Sequence, residues 1–443
     1  MLNLPGYKTT GVEQTKEHFT IKAEPTLGSE DCPFCQFPAA EFLVKFGAKA
    51  QEFLDAPMRG KPVTVVVERQ RYRCKNCGRT HSVPLPHLDE KRNMTLRLVD
   101  YIRQQALKRP FVQIASEVGV TEKTVRDVFG EYTEQLDEQR EVSFPQWLGI
   151  DELLLANNLR CILTDVQNRK VIDILPSRDL RSVAKWLRSI PNPQGVEIVT
   201  MDMWKPYKDA AYAIFPAARV VVDKFHIVRM ANYSVDLVRK NIRSDQTAGQ
   251  RRHIMRSRFL LFKRKRDLVD QEKLELEMWG CYFPQLLAAY DLKEAFYQIW
   301  DESANSIDAY NMYAEWEAAV PDDLAPFFKV ITTAVGNWHK EIFAYFDNGA
   351  TNAYTECLNG IVKNINRAGR GYSFDVIRSK IIYADVDVED MSAVDGLQGL
   401  DISPAELYDV KLRSDLHHSR FMSTVRSMRR DRVKPPQSTQ DSD

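Results

Sequence analysis

Gln146-Trp147-Leu148-Gly149-Ile150-Asp151 opens a segment, 146–230, in which short apolar runs alternate with helical patterns. Leu159-Arg160-Cys161-Ile162-Leu163-Thr164 and Lys170-Val171-Ile172-Asp173-Ile174-Leu175 read as two further strands joined by a turn at Asn168. A helix over Asp179–Ser189 follows, then the strand Val196-Glu197-Ile198-Val199-Thr200-Met201-Asp202. A helix over Lys205–Phe215 leads to the strand Ala218-Arg219-Val220-Val221-Val222-Asp223. Three meandering strands, then helix, strand, helix and strand, are the order of the ribonuclease-H-like fold. That fold carries one acid on its first strand and a second at the end of its fourth, which are the places of Asp151 and Asp202.

Both aspartates are expected to end apolar strands, where an unpaired charge is costly. From Phe225 to about Ala344 the pattern is almost entirely helical. Asn348-Gly349-Ala350-Thr351-Asn352 then forms a turn before a helix, Thr355-Glu356-Cys357-Leu358-Asn359-Gly360-Ile361-Val362-Lys363, that carries a third acid, Glu356. Carboxylates gathered from such elements suit hard divalent cations; a pair of ions about 3.5–4 Å apart activates an attacking oxygen and stabilises a leaving oxygen at phosphorus.

Upstream, Cys32-Pro33-Phe34-Cys35 and Cys74-Lys75-Asn76-Cys77 are two tight turns, each able to aim two thiolates at one ion. Together they complete a closed tetrahedral site, structural rather than catalytic. The strand-like run Pro62–Arg73 leads into the second pair as in a zinc ribbon; His81 and His87 stand nearby as substitute ligands, but four thiolates suffice. An apolar-periodic helix over Thr95–Lys108 ends at Arg109-Pro110. Phe111–Phe129 reads as a helix-turn-helix. Ile114-Ala115 allows a close crossing, Gly119 supplies the turn, Thr121 caps the second helix, and Val125 and Val128 return to the core. Glu122, Lys123, Thr124, Arg126 and Asp127 are expected to face outward, with Lys123, Thr124 and Arg126 as candidate DNA contacts.

The 443 residues exceed one ordinary domain, and 44% hydrophobic content supports several cores. Lys+Arg and Asp+Glu balance at 61 each, which excludes a uniformly basic coat but not patches. Arg59–Arg126 holds fifteen basic and six acidic residues, Arg239–Arg266 eleven and one, and Lys411–Lys434 eight and two. Such blocks beside nucleic-acid motifs point to DNA. No apolar run approaches the length of a membrane helix, and the N-terminus lacks the pattern of a signal peptide, so a cytoplasmic, nucleoid-associated protein is expected. Seven cysteines then favour metal ligation over disulfides. Strand-Asp, strand-Asp and helix-Glu behind DNA-reading motifs suggest a DNA-strand transferase.

The same residues resemble bacterial insertion-sequence transposases of the Asp-Asp-Glu type, the ISL-three family. The matching stretches are Cys32–Cys77, Gly149-Ile150-Asp151-Glu152, Thr200-Met201-Asp202-Met203-Trp204, Val222-Asp223-Lys224-Phe225-His226 and Asn352-Ala353-Tyr354-Thr355-Glu356. Asn359-Gly360 with Lys363, and Gly369-Arg370-Gly371-Tyr372, extend the match over essentially the whole chain. The resemblance implies a ribonuclease-H-like core interrupted by an all-helical insertion before the last acid, in agreement with the 153 residues between Asp202 and Glu356. The chain is thus expected to be multidomain α+β. The divisions are a zinc ribbon (1–90), a helix-turn-helix (91–140), the first part of the core (146–235), the insertion (236–345), the second part with C-terminal helices (346–430) and a disordered tail (431–443).

The implied activity is a DNA transposase that binds terminal inverted repeats and cleaves and transfers strands. Asp151 would bridge two Mg²⁺ ions, which Mn²⁺ can replace, with Asp202 and Glu356 each completing one side; one structural Zn²⁺ sits on the four cysteines. The expected partners are element-end and target DNA, and a second copy of the chain in the DNA complex, with no membrane. The competing readings are a repressor with a non-catalytic core and a structure-selective nuclease. Asn359 and Lys363 share the helix face of Glu356. They contact DNA backbone or are plain surface residues, and Arg367 and Arg370 are counted with them as candidate DNA contacts. His226 either orients a water or phosphate or is structural. Trp204 stacks on DNA or caps the core, and Trp279, Trp300 and Trp316 are core residues by default.

Overall fold

The computed structural model describes residues 4–26, 28, 31–155, 158–244 and 258–384. The block Lys411–Lys434, the tail 431–443 and the middle of the Arg239–Arg266 block lie outside the described residues, as does the Glu356 side chain. The chain forms two compact units, one from the chain up to Val196 together with the stretch from Ala353, the other from Glu197–Asn352.

The first unit begins with a sheet. β1 (Tyr7–Gln14) and β2 (Phe19–Pro25) form a hairpin, and a single turn, α1 (Ala39–Phe42), precedes β3 (Leu43–Met58) and β4 (Lys61–Cys74). β5 (Thr80–Ser82), β6 (Leu88–Asp89) and β7 (Met94–Thr95) are short. The strand order is β1-β2-β4-β3-β7-β6, with β5 on β4. Period-two alternation decides which face is core: Val63, Val65 and Val67 of β4 pack with Phe19, Ile21 and Ala23 of β2 and Phe53 of β3. The β3–β4 turn is Arg59-Gly60, both at positive φ (53° and 73°), a geometry that matches the twist of a tight hairpin. The long β3 was not read from the sequence: Val44, Phe46, Ala48 and Ala50 do alternate with Lys45, Gly47, Lys49 and Gln51, but Gly47 and two alanines make the pattern weak, and the side chains of this half are largely exposed.

The helix-turn-helix follows as α2 (Leu96–Lys108), α3 (Phe111–Val118) and α4 (Glu122–Gln139). Thr95 caps α2 by accepting from the Leu98 amide, and Thr121 caps α4 by accepting from the Thr124 amide. Gly119 ends α3 in the left-handed conformation at φ 74°. α4 runs ten residues past the expected end at Phe129, to Gln139. Buried Asp55 of β3 accepts from Thr95 Oγ1 and from Arg97 Nε, both at 2.6 Å, and so ties the sheet to α2.

β8 (Trp147–Leu155), β9 (Asn158–Asp165) and β10 (Lys170–Leu175) form an antiparallel meander, and α5 (Leu180–Ser189) starts at an Asp179 cap. One expectation is corrected here. Asp151 does not end its strand: pairing with β9 continues through Leu155↔Asn158, because Leu153 and Leu155 carry on the buried alternation.

In the second unit β11 (Ile198–Met201) runs parallel to β12 (Arg219–Val222), with α6 (Lys205–Ile214) as the crossover a parallel pair requires. α7 (Lys224–Ser244), α8 (Arg258–Phe262), α9 (Asp270–Tyr282), α10 (Pro284–Glu302), α11 (Ser306–Ala318) and α12 (Ala325–Asn348) follow. They share one apolar core that includes Trp279 and Trp316, with Trp300 stacked on Phe346 at a centroid distance of 4.9 Å.

The chain then re-enters the first unit as α13 (Ala353–Gly369) and α14 (Phe374–Tyr383). α13 packs on β8 and β9, burying Thr355, Leu358 and Val362, and Thr355 Oγ1 lies 2.7 Å from Thr164 Oγ1. α14 packs on α2 and β10. Its buried Lys380 donates to the carbonyls of Ala106 and Arg109 at the C-terminal end of α2 and lies over the rings of Phe111, Phe129 and Tyr372. Arg378 bridges Asp137 of α4 and Asp173 of β10. The helix-turn-helix is thereby fastened to the meander by residues more than 200 positions downstream.

Candidate active site and metal centre

Asp151 sits in the middle of β8 with only 4% of its surface exposed. Its Oδ1 accepts from the Glu152 amide at 2.7 Å, and its Oδ2 accepts from Asn359 Nδ2 at 2.9 Å. The same Nδ2 reaches the Glu152 carbonyl at 3.4 Å. Asn359 Oδ1 is buried without a hydrogen-bond partner among the described residues. Asn359 therefore faces inward, onto the candidate carboxylate; the two readings offered by the sequence, a DNA contact or a surface residue, both give way to this one. Packing decides it, since Leu358 and Val362 beside it fix which face of α13 meets β8. Glu356 lies one turn earlier on α13. Glu152 turns to the other side of the strand and pairs with Arg178.

The second unit presents its own acidic cluster at the ends of its parallel strands. Asp202 immediately follows β11 and Asp223 immediately follows β12, where its amide donates to the Met201 carbonyl at 3.2 Å. His226, in the first turn of α7, places Nε2 2.6 Å from Asp202 Oδ1. Burial works against the imidazolium, but the Asp202 carboxylate outweighs it, aided by Asp223, and pushes His226 up to about 9. The sequence offered His226 as an orienter of water or phosphate or as a structural residue; pairing with Asp202, a candidate metal ligand, was named by neither reading. Trp204 packs edge-on against Tyr207 at 4.5 Å, the core-capping alternative.

The four cysteines converge. Cys32, Cys35, Cys74 and Cys77 place their sulfur atoms within 4.8 Å of one another, and Cys32–Cys77 and Cys35–Cys74 are each 3.7 Å apart. A tetrahedron of thiolates around Zn²⁺, with Zn–S of about 2.3 Å, has edges of about 3.8 Å, so the donors fit that ion in kind and spacing. Each pair is held by its own turn: the Gln36 amide donates to Cys32 O and the Gly78 amide to Cys74 O, at 2.8 and 2.9 Å. His81 lies between Phe34 and Tyr72 and is not in the cluster.

Comparison with known families agrees with this arrangement. Residues 29–77 match the zinc-finger model of the transposases of IS204, IS1001, IS1096 and IS1165, and residues 83–133 match the helix-turn-helix domain of transposase family ISL3. Residues 148–381, more than half of the chain, match the Asp-Asp-Glu transposase model of the same family. The chain belongs to the ISL3 family of transposases. It is similar to the transposase for insertion sequence element IS1001 of Bordetella parapertussis, 24% identical over 389 residues that cover 84% of this chain and 94% of that protein.

For an ISL3 transposase the helix-turn-helix marks DNA binding, and the four-cysteine ribbon supports a structural Zn²⁺. Among the described residues no helix is long and apolar enough to cross a membrane. The candidate reading residues on α4 are already engaged. Lys123 pairs with Asp127 at 2.6 Å, and Arg126 pairs with Glu122 at 2.7 Å while lying over the Phe111 and Tyr372 rings. Thr124 Oγ1 is 2.8 Å from the capping Thr121 Oγ1. On α13, Lys363 is half-buried and Arg367 exposed; Arg370, in the turn that follows, is also exposed.

The Gly369-Arg370-Gly371-Tyr372 motif has a structural explanation. A Cβ on Gly369 would lie 2.1 Å from the Tyr372 ring, and Arg370 and Gly371 both take positive φ (47° and 107°). This turn delivers Tyr372 to the helix-turn-helix, where its hydroxyl accepts from the Phe111 amide at 2.8 Å. Sequence reasoning missed the roles of Asn359, Tyr372, Arg378 and Lys380. The motif around Tyr372 was the one signal that pointed to any of them beyond the face shared by Asn359 and Glu356.

Proposed function

We propose that this transposase binds the terminal inverted repeats of its insertion sequence and performs Mg²⁺-dependent strand cleavage and strand transfer with Asp151, Asp202 and Glu356. The observation that carries the reading is the buried Asp151, held by Asn359 on the helix that also bears Glu356. The family model, which spans all three acids, supports it. Oxygen donors from carboxylates fit Mg²⁺ and Mn²⁺. Two such ions, when bound, lower the pKa of an attacking hydroxyl and stabilise the leaving oxygen.

The chain's own part is positioning. Asn359 orients the Asp151 carboxylate, and His226 engages the Asp202 carboxylate. In the first step water attacks phosphorus as the P–O3′ bond at the element end breaks, leaving a 3′-hydroxyl and a 5′-phosphate. In the second, that 3′-oxygen attacks a target phosphodiester and the target's own 3′-oxygen leaves. One phosphodiester replaces another, so no covalent protein intermediate or energy source is required.

The element order β8-β9-β10-α5-β11-α6-β12 supports a ribonuclease-H-like core, its first part within 146–235 and its second beginning at 346, interrupted by a helical insertion. Two ends must be processed, so the working complex is proposed as a homodimer, with Cys32, Cys35, Cys74 and Cys77 holding one Zn²⁺ in each chain. Cleavage of a labelled element-end duplex tests the reading. Nicking at the element boundary with Mg²⁺ and none with EDTA is expected; binding without cleavage under all metal conditions would favour a repressor.

A further inference from the structure

The six exposed cations Lys45, Lys49, Arg71, Arg73, Lys75 and Arg79 crowd the ribbon end of the β3–β4 hairpin, against two acids on the same stretches, Glu41 and Glu68. Pairing of β3 with β4 shifts register between Lys45 and Ala48, where Phe46 and Gly47 (φ 80°) bulge out. Phe46 is left 47% exposed, and the guanidinium groups of Arg71 and Arg73 lie 5.9 and 5.7 Å from its ring centre. Arg79 lies 5.1 Å from the ring centre of Phe34, itself 50% exposed. None of the six cations has a carboxylate partner among the described residues, unlike Lys123 and Arg126 of α4, which pair with Asp127 and Glu122.

Guanidinium groups laid on aromatic faces are preorganised: the ring holds the plane while the N–H fork stays free for bidentate contact with phosphate. We propose that this ribbon surface is a second DNA-binding site, which grips the phosphate backbone of duplex DNA through Arg71, Arg73 and Arg79 on the Phe46 and Phe34 platforms. It rests on the DNA-binding reading above and extends it to a part of the chain not counted there among the DNA contacts. The ribbon sheet is tied to α2 through Asp55, so both surfaces are carried by one compact unit.

The test uses the full chain with Zn²⁺ bound and two duplexes of equal length, one containing the element's terminal repeat and one of random sequence. Arg71→Ala, Arg73→Ala and Arg79→Ala are combined in one variant, and zinc content and melting temperature report whether the ribbon remains folded. Each phosphate contact contributes about 0.9 to the slope of log K against log salt, so the variant's slope should be shallower by about 2–3 on both duplexes. Affinity at low salt should fall by at least tenfold. A variant with Lys at the three positions should keep the slope and lose only part of the affinity. If wild-type protein binds the end duplex and the folded alanine variant matches it in affinity and slope, the ribbon site is overturned alone. If wild-type protein binds neither duplex, the functional reading falls with it.

Discussion

Asn359 of α13 donates from Nδ2 to Oδ2 of Asp151 in the middle of β8, across 2.9 Å and 208 positions of sequence. The bond is buried, and it fixes the rotation of a carboxylate that a metal would have to find in one orientation. The rotation of α13 that permits this bond is set by the packing of Leu358 and Val362 on β8, and Glu356 stands three residues before Asn359 on the same helix.

Asn359→Ala should lower strand cleavage by about 10- to 100-fold, the usual effect of removing a residue that orients a metal ligand. Mn²⁺ affinity measured by calorimetry should fall in parallel, while end-DNA binding stays near wild type. Unchanged Mn²⁺ affinity together with unchanged cleavage would separate Asn359 from the site.

Asp151→Asn, Asp202→Asn and Glu356→Gln each keep side-chain size and remove a charge. Each should abolish cleavage and strand transfer with end binding near normal. The defects should not add in double variants, because groups acting as one unit are already disabled by a single loss. Cleavage at the wild-type rate by any one of the three would displace that residue, with Asp223 the next aspartate to test.

Purified protein should carry one Zn²⁺ per chain, and Cys74→Ser or a strong chelator should release it. Cys74 is buried at the end of β4. Loss of metal should therefore melt the ribbon end of the hairpin, since metal binding there is folding free energy. Zinc analysis and proteolysis between β3 and β4 report the two effects; full zinc content in Cys74→Ser would exclude a four-thiolate site.

Tyr372→Phe leaves the buried Phe111 amide without its acceptor and should destabilise the chain by about 1–3 kcal/mol in denaturant melts. Lys380→Met should do the same by freeing two carbonyls of α2. Burial pushes the Lys380 ammonium down to about 8 from 10.5. Between these values the unfolded chain holds a proton that the native chain has lost, so stability from this residue rises with pH across that window. Wild type should therefore gain on Lys380→Met between pH 8 and 10; a constant difference would show that Lys380 stays charged.

Much of the local structure was legible in the sequence for reasons that act within a few residues. Paired Cys-x-x-Cys turns, the Thr121 cap with Gly119, and apolar runs bounded by Asn168 and Asp179 each settle a backbone conformation through nearby hydrogen bonds and sterics. The β3 strand was not legible, because the alternation of Val44, Phe46, Ala48 and Ala50 is weakened by Gly47 and two small alanines, and this half has no buried face to mark it. The end of β8 was misjudged because a buried aspartate looked like a boundary.

The sequence by itself determined the helix-turn-helix, the strand–helix order after Gln146, which family the chain resembles and which residue types are available for metal and DNA. Tertiary structure alone decided what those residues touch. Asn359 became Asp151's partner because α13 packs its Leu358–Val362 face on β8. Arg126 was drawn onto Phe111 and Tyr372, and Lys380 onto the end of α2, by contacts that bring together positions hundreds of residues apart. Such pairings leave no periodic trace, since burial and hydrogen-bond satisfaction are settled only once the distant surfaces meet.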